Sequence, residues 1–343
     1  MARLALDAMG GDHAPHATVA GALLALGELD AAHTIQLVGR ASVVEATLAE
    51  LLAGEFAAMD GARGRVQVVD APDVIEMSDR ASLVLRRPNS SMSLGLRLQA
   101  DGQSDAFVSA GNTGAQMAAS KALLELHPGL TRPAISTIFP TAASPVVVLD
   151  SGANVDCSAH ELVQFARLGA VYAEDLLGRP DPSVGLLSIG EEAEKGNAVV
   201  KEANQLLRDA AGINFQGNVE GRDLARGASE RGPIDVVICD GFVGNVLLKF
   251  YEALAPMLIT MVADGAGIDR AQLASTFKHL DYNQYGGAPL LGVRGVSIIS
   301  HGSSTPVAIK NALGVAARAV ETEMNAHIGR RLADAQPSRR PVA

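Results

Sequence analysis

Short apolar runs recur along the chain, and most end in a glycine-bearing polar loop that opens into a longer segment rich in Ala, Leu and Val. The first is Leu4-Ala5-Leu6, followed by Met9-Gly10-Gly11-Asp12-His13-Ala14-Pro15 and a helix-like stretch from Ala17 to Leu26. Pro15 suits the first turn of that helix, where its missing N–H removes no bond. The same order returns with Asp105 to Val108, the loop Ser109 to Gly114 and a helix from Ala115 to Leu126. It returns again with Val146 to Asp150, Ser151 to Asp156 and a helix over 161–176, then with Val184 to Ile189, Gly190 to Asn197 and a helix over 198–207. Val236 to Cys239 leads into Asp240 to Gly244 and a helix from Asn245; Val296 to Ser300 leads into His301 to Ser304 and a helix from Pro306. Thr34 to Val38, Val66 to Val69 and Ile135 to Phe139 read as further strands, and Ser42 to Ala53 as a helix ended by Gly54.

Strands alternating with helices predict an α/β protein, a three-layer α/β/α arrangement around a mostly parallel sheet with right-handed crossovers. In such a sheet the strand-to-helix loops leave the carboxyl edge, so the glycine loops are expected to converge on one crevice. Residues 246–285 depart from the alternation: Leu, Met, Ile and Ala with Lys249, Glu252, Asp264, Asp269, Arg270 and Lys278 interspersed, and no strand-like run. This predicts a helical arm, broken near Gly265-Ala266-Gly267, that packs on a second subunit or touches a membrane. The expected organisation is a discontinuous α/β core over 1–245 and 286–330, the arm over 246–285, and a disordered tail over 331–343.

Composition narrows the function. The chain has 343 residues, 48% of them hydrophobic, a formal net charge of −10 and no Trp, which argues against a nucleic-acid partner. Cys157 and Cys239 are the two cysteines and form no CxxC or Cys/His cluster, so neither disulfides nor a metal site is expected and a reducing cytoplasm fits. No signal peptide is expected before Leu4, and Lys249, Glu252 and Pro256 interrupt the longest apolar stretch, Val246 to Ala263.

The loop Ser109-Ala110-Gly111-Asn112-Thr113-Gly114 stands out. Its glycines admit a close ligand, and the helix start behind it offers free N–H groups and a positive dipole end, a site for phosphate. A well-capped turn, with Asn112 or Thr113 at the helix N-terminus, is the alternative. No GxxxxGK[ST], GxGxxG or GxSxG occurs. His301 beside Ser303-Ser304 is only a weak suggestion of a nucleophile with its base. The remaining set is Asn112, Asn154, Asn197 and Asn245, the cation Lys195, the carboxylates Asp7, Asp12 and Asp240, and His13 and His301. These suit binding and orienting a phosphate, which can itself be the nucleophile; each has a structural alternative as a helix cap, loop tie or exposed charge. Arg86-Arg87 beside Ser90-Ser91 could receive a phosphate or an acidic surface, or form a solvated loop.

Nine motifs together carry a resemblance: DAMGGDHAP at 7–15, NSSM at 89–92, SAGNTGA at 109–115, GANVD at 152–156, EKGN at 194–197, GNVEGRDL at 217–224, DGFVGNVLLK at 240–249, YGGAPLLG at 285–292 and HGSS at 301–304. In this order, over nearly the whole chain, they resemble the PlsX family, the bacterial phosphate acyltransferases of phospholipid synthesis. The resemblance implies a fold like isopropylmalate dehydrogenase and phosphotransacetylase. It implies transfer of a long-chain acyl group from acyl carrier protein to inorganic phosphate, giving acyl phosphate for a glycerol-3-phosphate acyltransferase. It also implies a cytoplasmic homodimer with peripheral contact at the inner face of the cell membrane, and neither metal nor cofactor. On that reading Ser109, Gly111, Asn112, Thr113, Gly114, Asn154 and Asn245 hold phosphate, Lys195 is its cationic clamp, His301 or His13 manages a proton, and Asn112 and Asp240 complete the catalytic set. The basic run Arg86-Arg87 departs from a lysine expected there. A nicotinamide-dependent dehydrogenase and a non-catalytic scaffold binding acyl carrier protein are the competing readings.

Overall fold

A computed structural model describes residues 1–266, 269, 273 and 286–335. In chain order the strands and helices are β1 (Arg3–Asp7), α1 (His16–Glu28), β2 (Thr34–Gly39), α2 (Ala41–Ala53), β3 (Val66–Asp70), α3 (Ser91–Ala100), β4 (Ala106–Ser109), α4 (Thr113–Leu123), β5 (Ala134–Ile135), β6 (Thr137–Phe139), β7 (Val146–Leu149) and α5 (Ala159–Leu177). There follow β8 (Ser183–Leu187), α6 (Ala198–Asp209), β9 (Asn214–Val219), α7 (Gly221–Arg226), the small pair β10 (Ala228–Ser229) and β11 (Gly232–Pro233), β12 (Val236–Ile238), α8 (Gly241–Ala266), β13 (Ala288–Leu291), β14 (Ser297–Ile299), α9 (Pro306–Glu321) and α10 (Met324–Asp334). The chain forms two compact units: unit 1 is Met1–Glu125 with Glu252–Thr322, and unit 2 is Leu126–Tyr251 with Glu323–Ala343.

In unit 1 the strands run in the order β3-β2-β1-β4-β14-β13. The pairs β2–β3, β1–β2, β1–β4 and β4–β14 are parallel, and β13–β14 is antiparallel. Helices on the sheet bury the whole of Leu4 to Asp7 and all of β4, so these strands read as apolar runs. Helix α1 lies against α9 at close range: a Cβ on Gly21 would stand 2.5 Å from that of Ile309. Ser90 and Asn112 cap α3 and α4, and Thr305 caps α9 with Pro306 in its first turn.

Unit 2 has the strand order β6-β7-β12-β8-β9, parallel throughout except for the edge pair β6–β7. Phe139, Val146, Val148, Val219, Leu224, Ile234 and Val237 form one buried cluster, against which Val243, Leu247 and Tyr251 of α8 pack. Helix α5 begins with a Ser158/Glu161 capping box, ends at left-handed Gly178, and is held to α10 by Arg331 on Glu174 and His327 on Asp175.

The predicted alternation of strand, loop and helix is present, but the six glycine loops do not share one sheet edge. Three belong to the unit-1 sheet, after β1, β4 and β14, and three to the unit-2 sheet, after β7, β8 and β12. Periodicity identifies strands without telling which sheet they join. The expected arm begins as α8, a single helix that already starts at Gly241; the remainder, Gly267 and most of 268–285, lies outside the described residues. Gly241–Gly265 is long and apolar enough to cross a membrane by length and composition, despite the interruptions at Lys249, Glu252 and Pro256. Helix α10 continues to Asp334 and buries Leu332, so the start of the expected tail is helical; residues 336–343 lie outside the described residues.

Candidate active site

The three loops of unit 1 interlock through backbone. Ser300 N–H donates to the Ser109 carbonyl at 2.8 Å, and Asp12 N–H to the Gly302 carbonyl at 2.8 Å. A Cβ at Gly10 would stand 2.7 Å from Asp7 Oδ2 and 2.8 Å from the Gly111 nitrogen, so only glycine lets the first two loops meet. Beneath them Asp7, 2% exposed, accepts from Ser109 Oγ at 2.8 Å, and Ser109 Oγ in turn accepts from the Gly111 N–H at 3.0 Å. Burial pushes the Asp7 carboxyl up, opposed by its hydrogen bonds from Ser109, Met9 and Gly10. The phosphate-loop expectation for the Asn112 side chain meets a structural fact. Its Oδ1 accepts from Ala115 N–H as the cap of α4, and its Nδ2 donates to the carbonyls of Met77 and Asp79 at 3.0 and 2.9 Å. Both amide protons are committed, which leaves the backbone N–H groups of Thr113 and Gly114 as the donors at this helix start.

At the third loop His301 and Ser303 are both exposed, and His301 Nδ1 lies 2.8 Å from Ser303 Oγ and accepts from Ser303 N–H at 3.3 Å. The pairing that the sequence only weakly suggested is therefore formed. Among the described residues no carboxylate hydrogen bonds to the His301 ring. His13 is exposed, with no side-chain hydrogen bond among the described residues. Arg87 is drawn back onto the Val74 carbonyl at 2.9 Å, so of the adjacent arginines one is a loop tie.

In unit 2 the hub is Asp150, which in sequence has the look of a strand end. It is fully buried; its Oδ1 accepts from Ile135 N–H at 2.9 Å and Ala153 N–H at 3.1 Å, and its Oδ2 from Asn154 N–H at 2.6 Å and Asn154 Nδ2 at 2.9 Å. Burial pushes its carboxyl up against those bonds. The signal was present, because Asp150 stands at the end of β7 as Asp7 does at the end of β1. Asn154 also donates to the Pro133 carbonyl at 2.8 Å, so both its amide protons are held within the fold and the expected phosphate donor is a loop brace. The start of α8 sits directly on this loop: Gly241 N–H donates to the Asn154 carbonyl at 2.8 Å, and a Cβ on Gly244 would collide with the Asp150 carbonyl. Asp240 Oδ1 accepts from Val243 N–H at 2.8 Å, and Asn197 caps α6 through Val200 N–H at 2.9 Å. Lys195 and Asn245 are exposed, and their side chains make no ion pair or hydrogen bond among the described residues.

Between the loops after β8 and β12 and the helices behind them unit 2 holds a cavity of about 720 Å³, lined by Leu162, Leu186, Leu187, Ile189, Val199, Val200, Val243 and Leu247 with Asn197, Asp156, Asp240 and both cysteines. Burial is the first cause that pushes the Cys157 thiol up to about 12, and nearby Asp150 adds to it; burial is also the first cause that raises the Cys239 thiol. No group of three or more His, Cys, Asp or Glu side chains able to hold a metal occurs among the described residues.

Residues 2–327 match the family described as "Fatty acid synthesis protein". Two curated relatives, each named phosphate acyltransferase, are 47% identical: that of Heliobacterium modesticaldum over 95% of this chain and 96% of its own length, and that of Desulforamulus reducens over 94% of both. Among solved structures the fold is similar to a phosphotransacetylase from Streptococcus pyogenes, with TM-score 0.61 at 15% identity over 93% of this chain and 94% of that one. It is also similar to the EutD phosphotransacetylase from Staphylococcus aureus, with TM-score 0.60 at 16% identity over the same shares.

Proposed function

The chain belongs to the phosphate acyltransferase family, and from that premise we propose that it transfers a long-chain acyl group from acyl carrier protein to inorganic phosphate. The observation that carries the reading is the 47% identity to phosphate acyltransferases over 95% of the chain. In the reaction a phosphate oxygen attacks the thioester carbonyl carbon, the C–S bond breaks, and the carrier's thiolate leaves with the electron pair. The products are acyl phosphate and free carrier thiol. A thiolate leaves readily, so the enzyme's task is to position phosphate and to stabilise the oxyanion that forms at the carbonyl.

Phosphate is assigned to the Ser109 to Gly114 loop, where backbone N–H groups at the start of α4 meet the anion while Asn112 and Ser109 hold the loop in shape. Lys195 is assigned the positive charge, because it is exposed and carries no ion pair among the described residues. His301 is assigned the proton, with Ser303 orienting its ring through Nδ1 and leaving Nε2 outward. Asn245 remains a candidate donor; Asp240 and Asn154 are assigned to holding the α8 start and its neighbouring loop.

The product is an activated acyl group, suited to consumption by a glycerol-3-phosphate acyltransferase. Helix α8 exposes Phe242, Val246, Phe250, Met257 and Met261 at helical spacing, and this stripe is assigned to a second copy of the chain with peripheral contact at the cytoplasmic face of the membrane.

Incubation with palmitoyl acyl carrier protein and phosphate tests the reaction. Phosphate-dependent loss of thioester with formation of acyl phosphate is expected. Thioester loss that is independent of phosphate, or carrier binding without turnover, would overturn the reading.

A further inference from the structure

Resting on the acyl-transfer reading, we infer that the unit-2 cavity takes the hydrocarbon chain of the acyl substrate. Its size, about 720 Å³, is that of a small-molecule site. Its walls select among occupants. Eight of the lining residues are Leu, Ile or Val, and the lining has no aromatic ring on which a planar base could stack and no Lys, Arg or His to meet an anion. The charged residues that line it, Asp156 and Asp240, repel a phosphate or nucleotide. A flexible, uncharged, unbranched chain is the ligand such walls bind best, by removing apolar surface from water.

Position supports the same occupant. The lining includes Gly196 and Asn197 directly after Lys195, and Asp240 and Val243 at the start of α8, so the cavity lies beside the loop that carries the assigned cation. Gly196, at φ +100°, lets this loop close onto the wall: a Cβ there would stand 2.7 Å from Val200 Cγ1. Ile189, 83% exposed yet part of the lining, marks where the cavity meets solvent. The lining ends at Leu247 on α8.

Two measurements test the inference on the full chain. The first is turnover of octanoyl, dodecanoyl and palmitoyl carrier-protein thioesters with phosphate. In the natural protein kcat/KM rises about fourfold for each methylene that enters the cavity, the worth of burying one CH₂, and then levels off. Val199→Phe, which fills the cavity, lowers the palmitoyl-to-octanoyl ratio by about tenfold, and Val243→Ala, which widens it, raises that ratio. The second is binding of parinaric acid followed by its fluorescence, weakened by Val199→Phe. Should Val199→Phe fail to fold by circular dichroism, Val243→Ala decides both measurements. An unchanged chain-length ratio with unchanged parinarate binding in the folded variants overturns the cavity assignment while leaving phosphate acyl transfer standing. Absence of acyl phosphate from every thioester in the natural protein overturns acyl transfer instead, and parinarate binding then decides the cavity by itself.

Discussion

Ser109 Oγ donates to Asp7 Oδ2 across 2.8 Å, and both side chains are buried, so one hydroxyl joins the loops leaving two neighbouring parallel strands. Ser109→Ala removes a donor from a buried carboxyl group and is expected to cost ~1–3 kcal/mol, read as a lower urea midpoint at constant slope. The pH dependence has a definite sign. Burial raises the Asp7 pKa in the folded state, so the native protein holds the proton to higher pH than the unfolded chain does. The contribution of Asp7 to stability is full below its unfolded value of about 3.9 and is lost as pH rises through the native value. Asp105 runs the other way: its pKa is lowered, chiefly by its hydrogen bond from Arg3, so its contribution is lost as pH falls. Asp7→Asn is therefore expected to remove the loss on raising pH while leaving the acid-side loss in place, checked by urea unfolding across that range.

Lys195 and Asn112 separate charge from scaffolding. Lys195→Ala removes an exposed cation that has no ion pair among the described residues, so the melting temperature is expected to stay the same while acyl phosphate formation falls by about 10–100-fold, the scale of one charge-assisted hydrogen bond. Asn112→Ala removes a helix cap and two loop ties, and is expected to lower stability by ~1–2 kcal/mol at least. Equal melting temperatures for the two variants would contradict this division.

Gly244 admits no side chain, because a Cβ there would run into the Asp150 carbonyl. Gly244→Ala must push α8 off its loop and is expected to cost more than ~3 kcal/mol or to prevent soluble expression. Gly314, inside α9 with nothing near its Cβ position, is the control: Gly314→Ala is expected to stabilise by about 0.5–1 kcal/mol. Thermal unfolding of the two variants should bracket the natural protein.

A thiol pushed up to about 12 carries almost no thiolate at neutral pH. Native Cys157 is expected to resist iodoacetamide at neutral pH, as is buried Cys239, and both should react once guanidinium unfolds the chain. Rapid alkylation of Cys157 in the native state, seen by peptide mass, would show that its surroundings are wetter or more positive than the structure has them.

Runs such as Val146 to Leu149 and Val236 to Ile238 were legible because central parallel strands are buried on both faces and so lose the alternation that marks a surface strand. The assignment of loops to two sheets was not, since pairing depends on edges that meet only in three dimensions. The same limit applies to the site. Sequence shows that Asn112 and Asn154 can donate, but it cannot show that Met77, Asp79 and Pro133 carbonyls already take those donors. Asp150 carries no signal of its own in sequence, because a carboxylate at the end of an apolar run looks like the edge of a strand. His301 and Ser303, two residues apart, give little signal in sequence because only the turn geometry brings Nδ1 onto the hydroxyl.

Neither unit is a continuous segment, and synthesis on the ribosome must respect that. Unit 1 takes β14 from Ser297–Ile299 and seats it beside β4, whose residues emerge long before. Until β14 arrives, β4 presents an open edge of unpaired backbone for the whole time that unit 2 is being made. Unit 2 in turn lacks α10, which seals α5, until residues 324–334 have emerged. The nascent chain thus carries two unfinished units at once, a route to slow completion and to capture by chaperones.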